Sequence, residues 1–223
     1  MVGTESRGLL DLGAADIGFD GLGAVYIQRN AFMATVESPV TKDPQDSHIP
    51  VQNKEPAGSK YEYPGIPTTC DGAEAVVHVE INICQGSGAY PITSSTTMGS
   101  GFNQAVQNGG TNLWEEPLVF MEPESEHSSA SYCEGFAVAG GRVTNFTSGQ
   151  GLVLMKEVLY TIAGKRLPVV FNIGARALTS HSLNVHAGHD DLMSVADCGW
   201  GMLLARNAQE AGDLFRAMAD IVA

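Results

Sequence analysis

Residues 142–174 read RVTNFTSGQGLVLMKEVLYTIAGKRLPVVFNIG. A short apolar run, Arg142 to Phe146, gives way to the helix-period stretch Gly149 to Gly164, and a second apolar run follows from Pro168 to Gly174. Strand, helix, strand in about thirty residues is the signature of a parallel crossover unit. Extending this reading outward gives helices over Ala73–Gln85, Ser94–Val106 and Ser125–Ala139, and strands over Gly88–Ile92 and Leu118–Glu122. Beyond Gly174 come a short helix at Asp190–Asp197, a strand at Gly201–Ala205 and a closing helix from Ala208 to Val222. Five strands alternating with helices predict an α/β fold with a doubly wound, mostly parallel sheet. In such sheets ligands bind beyond the carboxyl ends of the strands, so polar residues that directly follow strands become the candidates.

Upstream the pattern differs. Residues 1–64 mix short apolar pieces and glycines with a stretch rich in proline, lysine, aspartate and serine, ESPVTKDPQDSHIPVQNKEPAGSKYEYPGIP at 37–67. They read as an irregular N-terminal arm and linker ahead of a domain at 65–223. The whole chain has 223 residues, enough for one good core, and carries 12 Lys+Arg against 25 Asp+Glu for a formal charge of -13. That field repels a phosphate backbone and an anionic membrane surface, so neither nucleic acid nor membrane is an expected partner. Cys70, Cys84, Cys133 and Cys198 are far apart and form no CxxC pair, which argues against a local zinc or iron–sulfur site. Reduced thiols, no basic leader followed by an apolar run and no bilayer-length apolar stretch point to a cytoplasmic location.

Four strand ends carry unusual residues. After the first comes YPITSSTTMGSG (90–101), whose hydroxyls suit a helix cap. After the second, Glu122, Glu124 and Glu126 crowd the segment EPESEH, as dipole complements in a first helical turn would. The third is followed by NFTSGQG, a glycine-flanked turn that matches neither the phosphate loop GxxxxGK[ST] nor the dinucleotide motif GxGxxG. The fourth leads into GARALTSHSLNVHAGHDD (174–191), where Arg176 could be a structural ion pair. Its His181, His186 and His189 with Asp190 and Asp191 have no specific metal-ligand spacing.

Taken in order, DGAEAV (71–76), YPITSSTTMG (90–99), EPESEH (122–127), NFTSGQGLVLMKEVLY (145–160), GARAL (174–178) and LNVHAGHDD (183–191) resemble the first domain of the pyruvate:ferredoxin oxidoreductase and 2-oxoacid:acceptor oxidoreductase family. The resemblance covers about residues 65–215 and implies the thiamine-diphosphate-binding fold, in the domain that holds the aminopyrimidine ring. It implies that Glu126 hydrogen-bonds N1′ of that ring, that Thr93 contacts the bound 2-oxoacid and that Arg176 pairs with the substrate carboxylate. A carboxyl group at N1′ promotes the imino form that activates the cofactor, best in a dry pocket. Arginine suits a carboxylate because its fork makes two charge-assisted bonds.

The implied reaction is oxidative decarboxylation of a pyruvate-like 2-oxoacid to acyl-CoA. The family's diphosphate and Mg²⁺ motif, GDG…N, is absent, and 15–25 (ADIGFDGLGAV) lacks its leading GDG. Thiamine diphosphate is therefore the expected cofactor, with Mg²⁺ and iron–sulfur clusters on other domains or subunits, and with ferredoxin, coenzyme A and an oligomeric assembly as partners. The family domain normally continues past Ala223, which makes a truncated, non-catalytic assembly subunit the alternative. Ser94 stands where the family motif has proline, which is expected to loosen the turn that carries Thr93.

Overall fold

The computed structural model describes residues 24–28 and 68–214. Along the chain it contains β1 (Ala24–Gln28), α1 (Gly72–Ile83), β2 (Gly86–Ala89), α2 (Thr96–Gln107), β3 (Val119–Met121) and α3 (Glu126–Val138). There follow β4 (Val143–Thr147), α4 (Gly149–Leu154), α5 (Lys156–Lys165), β5 (Val169–Gly174), α6 (Asp190–Ser194) and β6 (Gly201–Ala205). The strands form one six-stranded sheet in the order β3-β2-β4-β5-β1-β6, and every pairing in it is parallel.

The central strands bury both faces, and side-chain alternation divides the core in two. Val169, Phe171 and Ile173 of β5 face Leu152, Met155, Leu159 and Ile162 of the α4–α5 segment. Val170 and Phe146 point the other way, toward Val76 of α1 and Met98 and Phe102 of α2. Because period two sends successive residues to opposite faces, a strand covered by helices on both sides must be apolar at nearly every position. The run VVFNIG meets that demand, with all six residues buried.

Several polar side chains inside this layer are paired across it, although the Ser87 hydroxyl is buried without a partner. The Asn172 side chain donates to Glu80 Oε1 at 3.1 Å and to Thr144 Oγ1 at 2.7 Å, and the Cys84 thiol donates to Glu80 Oε2 at 2.9 Å. On the opposite face the Asn145 amide donates to the Gly88 carbonyl and to Ser129 Oγ, both at 2.6 Å. Apart from the Cys84–Glu80 bond, which stays at the end of α1, these bonds join separate elements, and those to Glu80 and Ser129 fix how α1 and α3 sit on the sheet.

Several expectations shift. The strand placed at Gly88–Ile92 lies at Gly86–Ala89, because the small residues GSGA let α3 pack close, with Tyr132 and Cys133 against Gly88. The helix placed over Gly149–Gly164 is interrupted at Met155, where φ is -86° and ψ is 4°. Its amide still reaches the Gly151 carbonyl at 3.2 Å, so the axis bends between α4 and α5 without ending. The largest correction concerns the stretch read as an irregular arm. Five of its residues form β1, seated between β5 and β6 with Tyr26 in register with Asn172 and Leu203. A sheet position, not local periodicity, makes those five residues a strand. The rest of 1–64 and the end of the closing helix lie outside the described residues, of which 208–214 are helical. Among the described residues no helix is long and apolar enough to cross a membrane.

Candidate active site

The chain runs from β2 outward to β3 through α2, and from β4 the opposite way to β5 through α4 and α5. The connections therefore diverge between the neighbouring strands β2 and β4, and a crevice opens at their carboxyl ends. The loop after β2 carries Thr93, the loop after β3 leads to Glu126, the turn after β4 is Ser148–Gly149, and β5 runs into Arg176. All three residues singled out by the sequence thus sit at one end of four adjacent strands.

Specific contacts close the distances between these loops. The Ser94 amide donates to Ser148 Oγ at 3.1 Å, and Ser148 Oγ donates in turn to the Gly174 carbonyl. Loops after β2, β4 and β5 are joined by this relay. Proline at position 94 could not make the first bond, so the exchange expected to loosen the turn supplies a tether in its place. Thr93 itself is exposed beside that tether, and its hydroxyl has no hydrogen-bond partner among the described residues.

Glu126 is the first residue of α3, whose start is fixed by Ser125 Oγ accepting from the Ser128 amide at 3.3 Å. Of the three acids in EPESE, Glu124 is spent locally, its Oε1 accepting from Ser128 Oγ at 2.6 Å. That bond holds the Glu124 carboxyl below its ordinary range. Glu122 is exposed. The half-buried Glu126 carboxylate accepts no hydrogen bond from any other described residue. It lies against Gly151, where a Cβ would fall 2.7 Å from Glu126 Cγ and 2.9 Å from its Oε1. Thr147 Oγ1, buried and unpartnered, would stand 2.8 Å from the same Cβ.

Arg176 is 3% exposed, and its guanidinium lies over Gly149. A Cβ there would fall 2.3 Å from Arg176 Nε, and the Gly149 φ of +48° is itself one that side chains disfavour. One terminal nitrogen donates to Gln150 Oε1 at 2.7 Å, while Nε has no partner. Burial lowers the guanidinium pKa from its ordinary value, and the nearby charges of Asp191 and Glu126 oppose that shift. An arginine so placed stays charged, with donor capacity to spare.

The acidic residues of the histidine-rich loop make contacts with the backbone. His181 and His186 are exposed, Asp190 accepts from the Leu178 amide at 3.2 Å and Asp191 is fully buried. Among the described residues no group of three or more His, Cys, Asp or Glu is gathered to hold a metal ion. The residues that shape the site but escape sequence reading are Thr147, Gly149, Gln150, Gly151 and Asp191. The FTSGQG turn was the visible trace of all but Asp191, but a dense turn alone does not say which side chain it makes room for.

An unpartnered carboxylate beside an unpartnered hydroxyl, with a free arginine edge nearby, fits a polar aromatic ring and a small anion. It offers little to a diphosphate, since Arg176 alone among these groups is cationic. The family model described as pyruvate flavodoxin/ferredoxin oxidoreductase, thiamine diP-bdg, matches residues 77–221. Over 146 residues the chain is 38% identical to a pyruvate-flavodoxin oxidoreductase of Klebsiella pneumoniae, covering 66% of this chain and 12% of that protein. A pyruvate:ferredoxin oxidoreductase of Moorella thermoacetica is 37% identical over 146 residues, again 66% of this chain and 12% of the relative. The chain thus spans about an eighth of the length of these relatives. In fold it is similar to a 2-oxoglutarate:ferredoxin oxidoreductase from Magnetococcus marinus, with a TM-score of 0.57 at 20% identity over 69% of this chain and 27% of that one.

Proposed function

The chain belongs to the pyruvate flavodoxin/ferredoxin oxidoreductase family, in its thiamine-diphosphate-binding part, and we propose that it supplies the pyrimidine-binding wall of a 2-oxoacid oxidoreductase. The observation that carries this reading is the convergence of Thr93, Glu126 and Arg176 at the crevice between β2 and β4, with Gly151 and Gly149 left bare where Glu126 and Arg176 lie. The unit that does this work is the stretch 65–223, joined by β1.

In this reading Glu126 holds the ring of thiamine diphosphate through N1′, and Thr147 is near enough to share in its hydrogen bonding. When bound, the cofactor supplies a carbon nucleophile for decarboxylation of the 2-oxoacid. The chain's own part is to bind and orient. Glu126 accepts or shares the proton at the ring edge, as general acid–base work requires. Arg176 receives the substrate carboxylate on its guanidinium, where burial strengthens a charge-assisted pair. Thr93, held in place through Ser94 and Ser148, donates to a substrate oxygen. The diphosphate, Mg²⁺, iron–sulfur clusters, coenzyme A and the ferredoxin or flavodoxin acceptor are assigned to other domains or subunits of an oligomer. Four free thiols, three of them buried, support a cytoplasmic setting.

The test is steady-state kinetics of the oxidoreductase assembled with this chain. Glu126→Ala is expected to lower turnover by about 10²–10⁴-fold with the circular dichroism and melting temperature unchanged, the range for loss of a proton-transfer group. Full turnover in that variant would refute the role. Arg176→Ala is expected to raise the 2-oxoacid KM and reduce kcat/KM by about a hundredfold, as loss of a buried charge pair does. An unaltered KM would remove the carboxylate clamp from the proposal.

A further inference from the structure

We propose that Asp191 is the positioning residue for Arg176, a role that rests on the reading of Arg176 as the carboxylate clamp. Asp191 is completely buried and makes no ion pair with a side chain among the described residues. Its carboxylate is instead divided among three backbone amides: Oδ2 accepts from Gly149 at 2.9 Å and from Arg176 at 3.1 Å, and Oδ1 accepts from Leu192 at 2.7 Å. Two of these amides are the two halves of the arginine cradle. Gly149 is the floor over which the guanidinium lies, and the Arg176 amide fixes the Cα from which that side chain extends.

One oxygen thus sets the turn after β4 and the exit of β5 relative to each other. The guanidinium's remaining freedom is taken by Gln150, whose carboxamide accepts from it and donates to Thr179 Oγ1. Neither Gln150 nor the cradle backbone would hold its position if the buried carboxylate were lost, because two amides would then point into an apolar space with no acceptor. Asp191 also places a full negative charge beneath a buried cation, opposing the cost of its desolvation. Nothing in the arrangement brings Asp191 to the crevice surface, so it acts through Arg176 and does not touch substrate.

The experiment compares the full 223-residue chain with its Asp191→Asn variant. Phenylglyoxal modification of each arginine is timed by peptide mass spectrometry, with Arg142 and Arg166 as internal references. Asparagine keeps the size but offers one acceptor oxygen where the carboxylate has two. Arg176 modification is expected to quicken about fivefold while the references stay within about twofold, the effect of about one lost hydrogen bond. An unchanged Arg176 rate, or an equal rise at all three arginines, overturns the proposal. If Asp191→Asn does not fold, Asp191→Ser keeps an oxygen for one amide and is scored the same way.

In the assembled oxidoreductase Asp191→Asn should raise the 2-oxoacid KM about tenfold with kcat within about threefold, and the Arg176→Ala/Asp191→Asn double variant should be no worse than Arg176→Ala. If Arg176 reactivity rises but Arg176→Ala leaves KM unaltered, the clamp reading falls and the positioning of Arg176 stands. If Arg176→Ala raises KM while Asp191→Asn changes neither reactivity nor KM, the Asp191 proposal falls alone.

Discussion

The two ends of the same sheet are built on opposite rules. At the amino end, Arg142 donates from Nε to the Ile83 carbonyl at 3.0 Å, pairs with Glu116 and stacks its guanidinium 4.1 Å from the Trp114 ring centre. Gln85 accepts from the Arg142 amide and donates to Glu116, each at 2.9 Å, and Asn112 donates to Glu116 at 2.8 Å. Those bonds, chiefly the one from Asn112, hold the Glu116 carboxyl below its ordinary value. At the carboxyl end, by contrast, Thr147 Oγ1 and Arg176 Nε are buried without partners and Glu126 accepts nothing from the described residues. A saturated polar cluster has no capacity left for a ligand and serves stability. An unsaturated one costs stability, and that cost is recovered when a ligand completes it.

Breaking the carboxyl end should have the largest effect. Gly149→Ala places a methyl group 2.3 Å from Arg176 Nε. Displacing the guanidinium by the ångström or so needed is expected to lower kcat/KM about a hundredfold. The positive φ adds about 1–3 kcal/mol of destabilisation, read as a lower melting temperature. Retention of wild-type kinetics would mean that the close approach does not matter to substrate binding.

At the amino end Arg142→Ala should do the reverse. It unties Glu116 and the Ile83 carbonyl and removes the stack on Trp114, so the melting temperature is expected to fall by a few degrees. Because half of this cluster is solvated, the ion pair itself contributes little. Turnover per folded molecule should stay within about twofold, since no part of the crevice moves. A fall in kcat/KM as large as that of Gly149→Ala would show the two ends are not separable.

Between the ends lies Glu80, where the smallest effect is expected. Burial pushes its carboxyl above the ordinary value of 4.5, against the hydrogen bonds of Cys84, Asn172 and Thr144. The folded chain then binds more protons than the unfolded chain above pH 4.5, so this residue's contribution is complete below that pH and is lost as pH rises through the raised value. Glu80→Gln cannot ionise, and its stability should differ from wild type by about 1 kcal/mol or less at neutral pH while its pH profile flattens in that window. Parallel profiles for the two proteins would show that Glu80 does not titrate there.

The contrast between ends was half visible in the sequence. Elements with a strong pattern were legible: the run VVFNIG became β5, and the helices read at Ala73–Gln85 and Ser125–Ala139 lie at Gly72–Ile83 and Glu126–Val138, where the structure adds caps at Asp71 and Ser125, with Asp71 and Glu74 forming a reciprocal capping box. The three candidate residues were legible through motif resemblance and a general rule about strand ends. The bounds of the short strand GSGA, whose glycines and serine lack strand propensity, were read a few residues late, and β1, whose pairing partners lie far along the chain, was illegible. The part played by Asp191 was illegible for a similar reason. In the sequence it stands next to histidines, and in the fold its bonds go to Gly149 and Arg176, 42 and 15 residues away.

By itself the sequence determined the alternation of strands and helices, the residue types at the strand ends and the family. Those properties live in local periodicity, capping and motif spacing, which act over a few residues. Tertiary structure alone decided that β1 joins the sheet, that Gly149 makes room for Arg176 and that Asp191 serves two backbone amides. Each of these is a contact between distant segments, and its energy exists only once the sheet has brought them together.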